Sequence, residues 1–90
     1  MSLKFQVLLH PKAVKELNGI QPEFRNRIKS AMEELSESPE KGTPLNPSRF
    51  MRIRVGDFRA ICEIDRKERK VIVLLVGHRR RVYDEFRKLL

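Results

Sequence analysis

Gly56-Asp57 stands between two runs of strand-forming residues, Arg49 to Val55 and Phe58 to Ile64. A two-residue link with glycine in its first position closes a tight antiparallel hairpin, because glycine accepts the positive φ that such turns demand. A hairpin this short has one register: Val55 faces Phe58, Arg54 faces Arg59, Ile53 faces Ala60 and Arg52 faces Ile61. Directly opposed residues share a sheet face. Met51, Ile53, Val55, Phe58, Ala60 and Cys62 therefore make one apolar face, while Arg52, Arg54 and Arg59 crowd the other. The rest of the chain must supply a cover for the first face and a reason for the second.

The cover is legible on both sides of the hairpin. Val71 to Val76 is apolar at every position, the pattern of a central strand with neighbours on each side, and Asp65 to Lys70 is a looser turn leading into it. Near the start, Leu3, Phe5, Val7 and Leu9 alternate as in a half-buried strand that His10-Pro11 ends. Pro11 suits a first helical turn, and Ala13, Val14 and Leu17 give that helix an apolar stripe before Gly19 closes it. From Pro22, the residues Phe24, Ile28, Ala31, Met32 and Leu35 recur at helical spacing until Pro39, and residues 39–47, rich in Pro and Gly, read as a loop. Val82, Phe86 and Leu89 or Leu90 mark a last helix over Val82 to Leu90. The expected architecture is one α+β domain over residues 1–90: an N-terminal strand, a two-helix hairpin packed on a mainly antiparallel sheet of about four strands, and a short C-terminal helix.

The arginine face is what points to function. Like charges opposed across strands destabilise by about half a kcal/mol or more, so folding alone gives no reason for Arg54 opposite Arg59, and an anionic ligand does. On that reading, replacing either by Ala leaves folding stability unchanged or raised. The alternative is that each guanidinium finds a carboxylate such as Glu63 or Asp57. The run His78-Arg79-Arg80-Arg81-Val82-Tyr83 adds charge and a ring suited to phosphate and base together, while the Asp65 to Lys70 turn does not fix the register and leaves open which face Arg79 takes. Overall, 20 Lys and Arg against 12 Asp and Glu give a formal charge of +8, the footprint of a chain that meets polyphosphate, although a basic surface also serves solubility.

Other chemistries find little support. The single Cys62 falls on the apolar hairpin face and reads as a small core residue, and His10 reads as the end of a strand. No Cys/His spacing suits a metal, no Gly-rich loop suits a nucleotide cofactor, and neither metal nor cofactor is expected. No stretch has the length of a membrane span and the N-terminus lacks a signal-peptide pattern, so a cytoplasmic location is expected.

The string Arg52-Ile-Arg-Val-Gly-Asp-Phe-Arg59, the apolar strand after it and the ending Val76-Gly-His-Arg79 followed by Val82-Tyr83 resemble the RelE toxins of the RelE/ParE superfamily. The resemblance extends to the opening strand, the Ala13-Val-Lys-Glu-Leu17 helix and the Ser38-Pro39 loop, and so to nearly the whole chain. It implies a RelE-like fold and the toxin of a type II toxin-antitoxin system. Such a toxin is a ribosome-dependent endoribonuclease, an mRNA interferase that inhibits translation by cutting messenger RNA in the A site through attack of the 2′-hydroxyl on the adjacent phosphate. Carried over position by position, it implies catalytic roles for Arg52, Arg54, Arg59, Arg79 and Tyr83, and His78, Arg80 and Arg81 of the basic run are expected to bind RNA beside them. Arginine stands at both of the first two positions where the best-characterised pattern has lysine; it stays protonated to above about pH 12, so neither Arg52 nor Arg54 serves as a general base. Tyr83 is left to stack on a nucleotide or take the 2′ proton, with His78 a second candidate. The implied partners are the ribosome, its message and a RelB-like antitoxin in a hetero-oligomeric complex. Two other readings stay open: a ParE-type inhibitor of DNA gyrase on the same fold, and a non-catalytic RNA-binding domain.

Overall fold

A computed structural model describes residues 4–47 and 49–89. The elements run β1 (Gln6–Leu9), α1 (Pro11–Asn18), α2 (Pro22–Glu37), a 3-10 turn (Pro39–Lys41), β2 (Thr43–Pro44), β3 (Phe50–Val55), β4 (Phe58–Asp65), β5 (Lys70–His78) and α3 (Arg79–Leu89). The strands form one sheet in the order β1-β5-β4-β3-β2, with β1 parallel to β5 and every other pair antiparallel. Leu3 and Leu90, to which the sequence assigned places in the first strand and last helix, lie outside the described residues.

The α+β order is as expected, with one more strand. Residues 39–47 are not wholly a loop: Thr43 and Pro44 pair with Arg52 and Met51 at the outer edge of the sheet. Pro44 lacks an N–H, but an edge strand needs no donor on its solvent side. The hairpin register is the one read from Gly56-Asp57, with Val55 on Phe58, Arg54 on Arg59, Ile53 on Ala60 and Arg52 on Ile61. Gly56 has φ +57° and Asp57 does not share the positive region, the pattern of a turn with glycine at its first central position.

Apolar packing lies on both sheet faces. On one, Ala13 and Leu17 of α1 and Ile28, Met32 and Leu35 of α2 bury Met51, Ile53, Val55, Ala60, Cys62, Val71 and Val73. On the other, Val82 and Phe86 of α3 close on Phe50, Ile61 and Leu75, with the Phe50 and Phe86 rings edge to face at 5.2 Å. Each such side chain contributes about 1.5–3 kcal/mol when fully withdrawn from water, so α3 is held chiefly by a small apolar contact. The Cys62 thiol is fully buried, and desolvation pushes its pKa up to about 12, which keeps it an unreactive part of the core. His10 caps α1: its Nδ1 accepts a hydrogen bond from the Lys12 N–H at 3.1 Å. No helix among the described residues is long and apolar enough to cross a membrane.

The strand β5 carries the one irregularity that matters for the site. Cys62 pairs with Val73 but Ile61 pairs with Leu75, so Leu74 is an extra residue. A bulge of one residue reverses the side-chain alternation beyond it. Val71 and Val73 face α1 and α2; past the bulge Leu75 faces α3 and Val76 returns to the helical-hairpin face.

Candidate functional site

The hairpin twist and the docking of α3 build a basic surface on the α3 side of the sheet. Arg52 and Arg54 alternate out of β3 onto it, and Arg59 stands directly opposite Arg54 on β4. Tyr83, one helical turn into α3 beside Val82, reaches back over the sheet so that the Arg52 Nη1 donates to its Oη at 2.9 Å. Glu63, which could have neutralised this surface, turns to Arg49 instead at 3.6 Å. Among the described residues, none of Arg52, Arg54 and Arg59 has an ion-pair partner. The Nε atoms of Arg52 and Arg59 are moreover buried without a hydrogen-bond partner among the described residues. A buried donor left unmade is costly, and an anion or an ordered water would relieve it.

Arg59 differs from the other two. Only 7% of it is exposed, and its Nη1 donates to the carbonyl oxygens of Gly56 and Phe58 at 2.7 and 2.8 Å, so its guanidinium also braces the turn. The sequence-based expectation that either Arg54→Ala or Arg59→Ala spares stability is therefore kept for Arg54 and withdrawn for Arg59. Arg59→Ala should cost about 1–3 kcal/mol, as expected when buried carbonyls lose their donor. Arg54→Ala, at an exposed position facing a like charge, should stay within about 0.5 kcal/mol of the parent or rise. Urea titrations of the two variants check this, and equal destabilisation would contradict it.

The basic run after β5 is divided by the bulge. His78 pairs with Phe58 and lies on the helical-hairpin face, its ring edge to face with Phe58 at 6.4 Å, across the sheet from the arginines. The register that the sequence left open is thereby fixed with His78 away from the arginine face. Arg79 opens α3 and its backbone N–H donates to the Asp57 carbonyl oxygen at 2.9 Å, which ties the helix start to the hairpin tip; Arg79 and Arg80 are exposed there. Arg81 turns away. It lies across Gly77, where a Cβ would come within 2.6 Å of its Nη2, and pairs with Glu16 of α1 at 3.0 Å. The same Glu16 accepts from the Val76 N–H at 3.3 Å, so this ion pair covers the length of β5 that β1 is too short to reach. The structure thus gathers Arg52, Arg54, Arg59 and Tyr83, sets Arg79 and Arg80 at the adjoining helix start, and gives Arg81 a bracing role.

Residues 7–83 match the family model described as the ParE toxin of type II toxin-antitoxin systems, parDE. The chain belongs to the RelE/ParE toxin superfamily. Its fold is that of solved RelE structures: a mutant of the E. coli toxin RelE in the free state aligns with a TM-score of 0.81 at 21% identity, over 97% of this chain and 99% of that one. The archaeal RelE-RelB complex from Pyrococcus horikoshii OT3 gives 0.73 at 24% identity, covering 88% and 97%. The RelB-RelE antitoxin-toxin complex from Methanococcus jannaschii gives 0.66 at 28% identity, covering 86% and 95%. No curated protein matches the sequence.

This superfamily member also has a basic feature that the sequence reading passed over. Lys12 and Lys15 of α1 stand on the opposite side from the arginine face, Lys12 in an ion pair with Glu85 of α3 at 2.7 Å, and the Glu85 carboxylate beside it raises its pKa. The signal available was their helical spacing with Glu16 and Gly19 on the polar side of α1.

Proposed function

We propose that this toxin is a RelE-type endoribonuclease that cuts messenger RNA in the ribosomal A site. The observation that carries the reading is the arginine face itself: Arg52, Arg54 and Arg59 with no carboxylate partner among the described residues, and Tyr83 bonded to Arg52. In the reaction the 2′-oxygen bonds to the adjacent phosphorus as the P–O5′ bond breaks, the 2′ proton is removed and the 5′-oxygen gains one. The products are a 2′,3′-cyclic phosphate and a 5′-hydroxyl. Charge builds on the phosphoryl oxygens along this path, and preorganised guanidiniums favour the transition state over the ground state. Permanently charged arginines do this without titrating. Tyr83 covers a base with its ring or takes the 2′ proton through its hydroxyl, which Arg52 holds. Arg79 and Arg80, at the helix start, hold flanking phosphates.

Solved relatives are complexes of RelE with RelB, and we infer a RelB-like antitoxin for this chain too, with an acidic segment matched to the +8 charge. Ribosomes as the target place the activity in the cytoplasm. The family model's own name favours one other reading, a ParE-type poison of DNA gyrase. Translating ribosomes carrying a defined message, with a gyrase supercoiling reaction run in parallel, separate the two. The expected result is message cut in the A site, little cutting of free RNA, and unimpaired supercoiling. Intact message with inhibited supercoiling would establish the gyrase reading instead.

A further inference from the structure

Across the sheet from the arginine face, a groove of about 710 Å³ runs between α1 and the start of α3, with a volume in the range of small-ligand sites. Its apolar floor is Ile20 and the half-buried Phe58, and its walls carry Lys12, Lys15, His78 and Arg81. The two carboxylates in it are already engaged: Glu16 holds Arg81 and the Val76 N–H, and Glu85 holds Lys12. Lys15 and His78 are exposed and have no charged partner among the described residues. An unpaired lysine beside the rings of Phe58 and His78 makes a surface complementary to a phosphate with a base attached, and a peptide carboxylate would satisfy only the charge.

The groove is continuous with the site already described. Phe58 and Arg59 are neighbours on β4 that point to opposite faces, and His78 and Arg79 are neighbours at the junction of β5 and α3. A strand passing over the hairpin tip therefore meets the arginines on one side and the groove on the other. We propose that the groove is a second nucleotide subsite, holding one unpaired nucleotide of the bound RNA with its base against Phe58 and His78 and its phosphate on Lys15. This rests on the ribonuclease reading for the identity of the strand, and on groove geometry alone for its location.

The test is fluorescence anisotropy of a short single-stranded RNA titrated with the parent protein, Lys15→Glu, His78→Ala and Lys29→Glu across a range of salt. Lys29→Glu makes the same charge change on α2, away from the groove. Thermal melts confirm that each variant is folded. Lys15→Glu is expected to weaken binding tenfold or more and to reduce the salt slope by about one. His78→Ala should weaken it about fivefold or more, as for loss of one stacking contact, and Lys29→Glu should do much less than Lys15→Glu. Equal losses for Lys15→Glu and Lys29→Glu, or parent affinity in both groove variants, overturn the subsite. A poly-glutamate peptide that loses binding in Lys15→Glu while RNA affinity is unchanged overturns it in favour of a protein partner. If the groove variants lose RNA affinity but the parent cuts no message on ribosomes, the subsite stands and the catalytic reading falls; cut message with unaltered RNA affinity gives the reverse.

Discussion

A message carrying a single 2′-deoxy nucleotide at the A-site cleavage position should emerge intact from translating ribosomes that cut the all-RNA message to a 2′,3′-cyclic phosphate end. The arginine face is the reason. On the proposed nuclease reading its permanently charged guanidiniums contribute electrostatically, which presupposes an attacking oxygen supplied by the substrate. Without the 2′-hydroxyl there is no nucleophile, and stabilising a charge that never develops accelerates nothing. Binding should survive the change, because phosphate contacts dominate affinity and are all retained. End-labelled message resolved at single-nucleotide length, with the chemistry of the new ends mapped, reads both outcomes. Cutting at the deoxy position to a 3′-hydroxyl and 5′-phosphate would mean that water attacks instead, and would require a different set of groups.

How far the sequence foretold this site depends on how locally each part is encoded. The hairpin register follows from two residues, since Gly56-Asp57 leaves a tight turn one way to close, and it places Arg54 on Arg59 as observed. The helical hairpin follows from apolar spacing between prolines, and α2 starts at Pro22 and stops before Pro39 accordingly. The bulge at Leu74 had no such signal. A strand buried on both faces reads as an unbroken apolar run, so Val71 to Val76 looks the same with or without an extra residue. Yet that residue decides on which face His78 emerges. The two-residue β2 was hidden by Pro44, which argues against a strand everywhere except at an edge. For Arg59, residue type suggested a solvated cation; only the fold, with carbonyls of Gly56 and Phe58 turned toward it, makes it a buried brace.

The contact between Arg52 and Tyr83 is the part of the site on which sequence was silent, because it joins residues 31 positions apart through the docking of α3. It leads to the second large effect. Arg52→Ala should lower the rate of the cutting step on saturated ribosomes by about 10²–10³, the usual loss when one preorganised donor to a developing oxyanion is removed. Tyr83→Phe keeps the ring and its packing beside Val82 and Phe86 but removes the hydroxyl that Arg52 holds. If that hydroxyl passes the 2′ proton, the rate should fall by about 10²-fold or more while message affinity is kept. The two groups act through one hydrogen bond, so the double variant should lose much less than the product of the single losses. Independent, multiplying losses would show that the bond does not couple them in the reaction. A Tyr83→Phe variant that cuts at the parent rate would leave the tyrosine only its ring, and the search for the base would move to a group on the ribosome or the message.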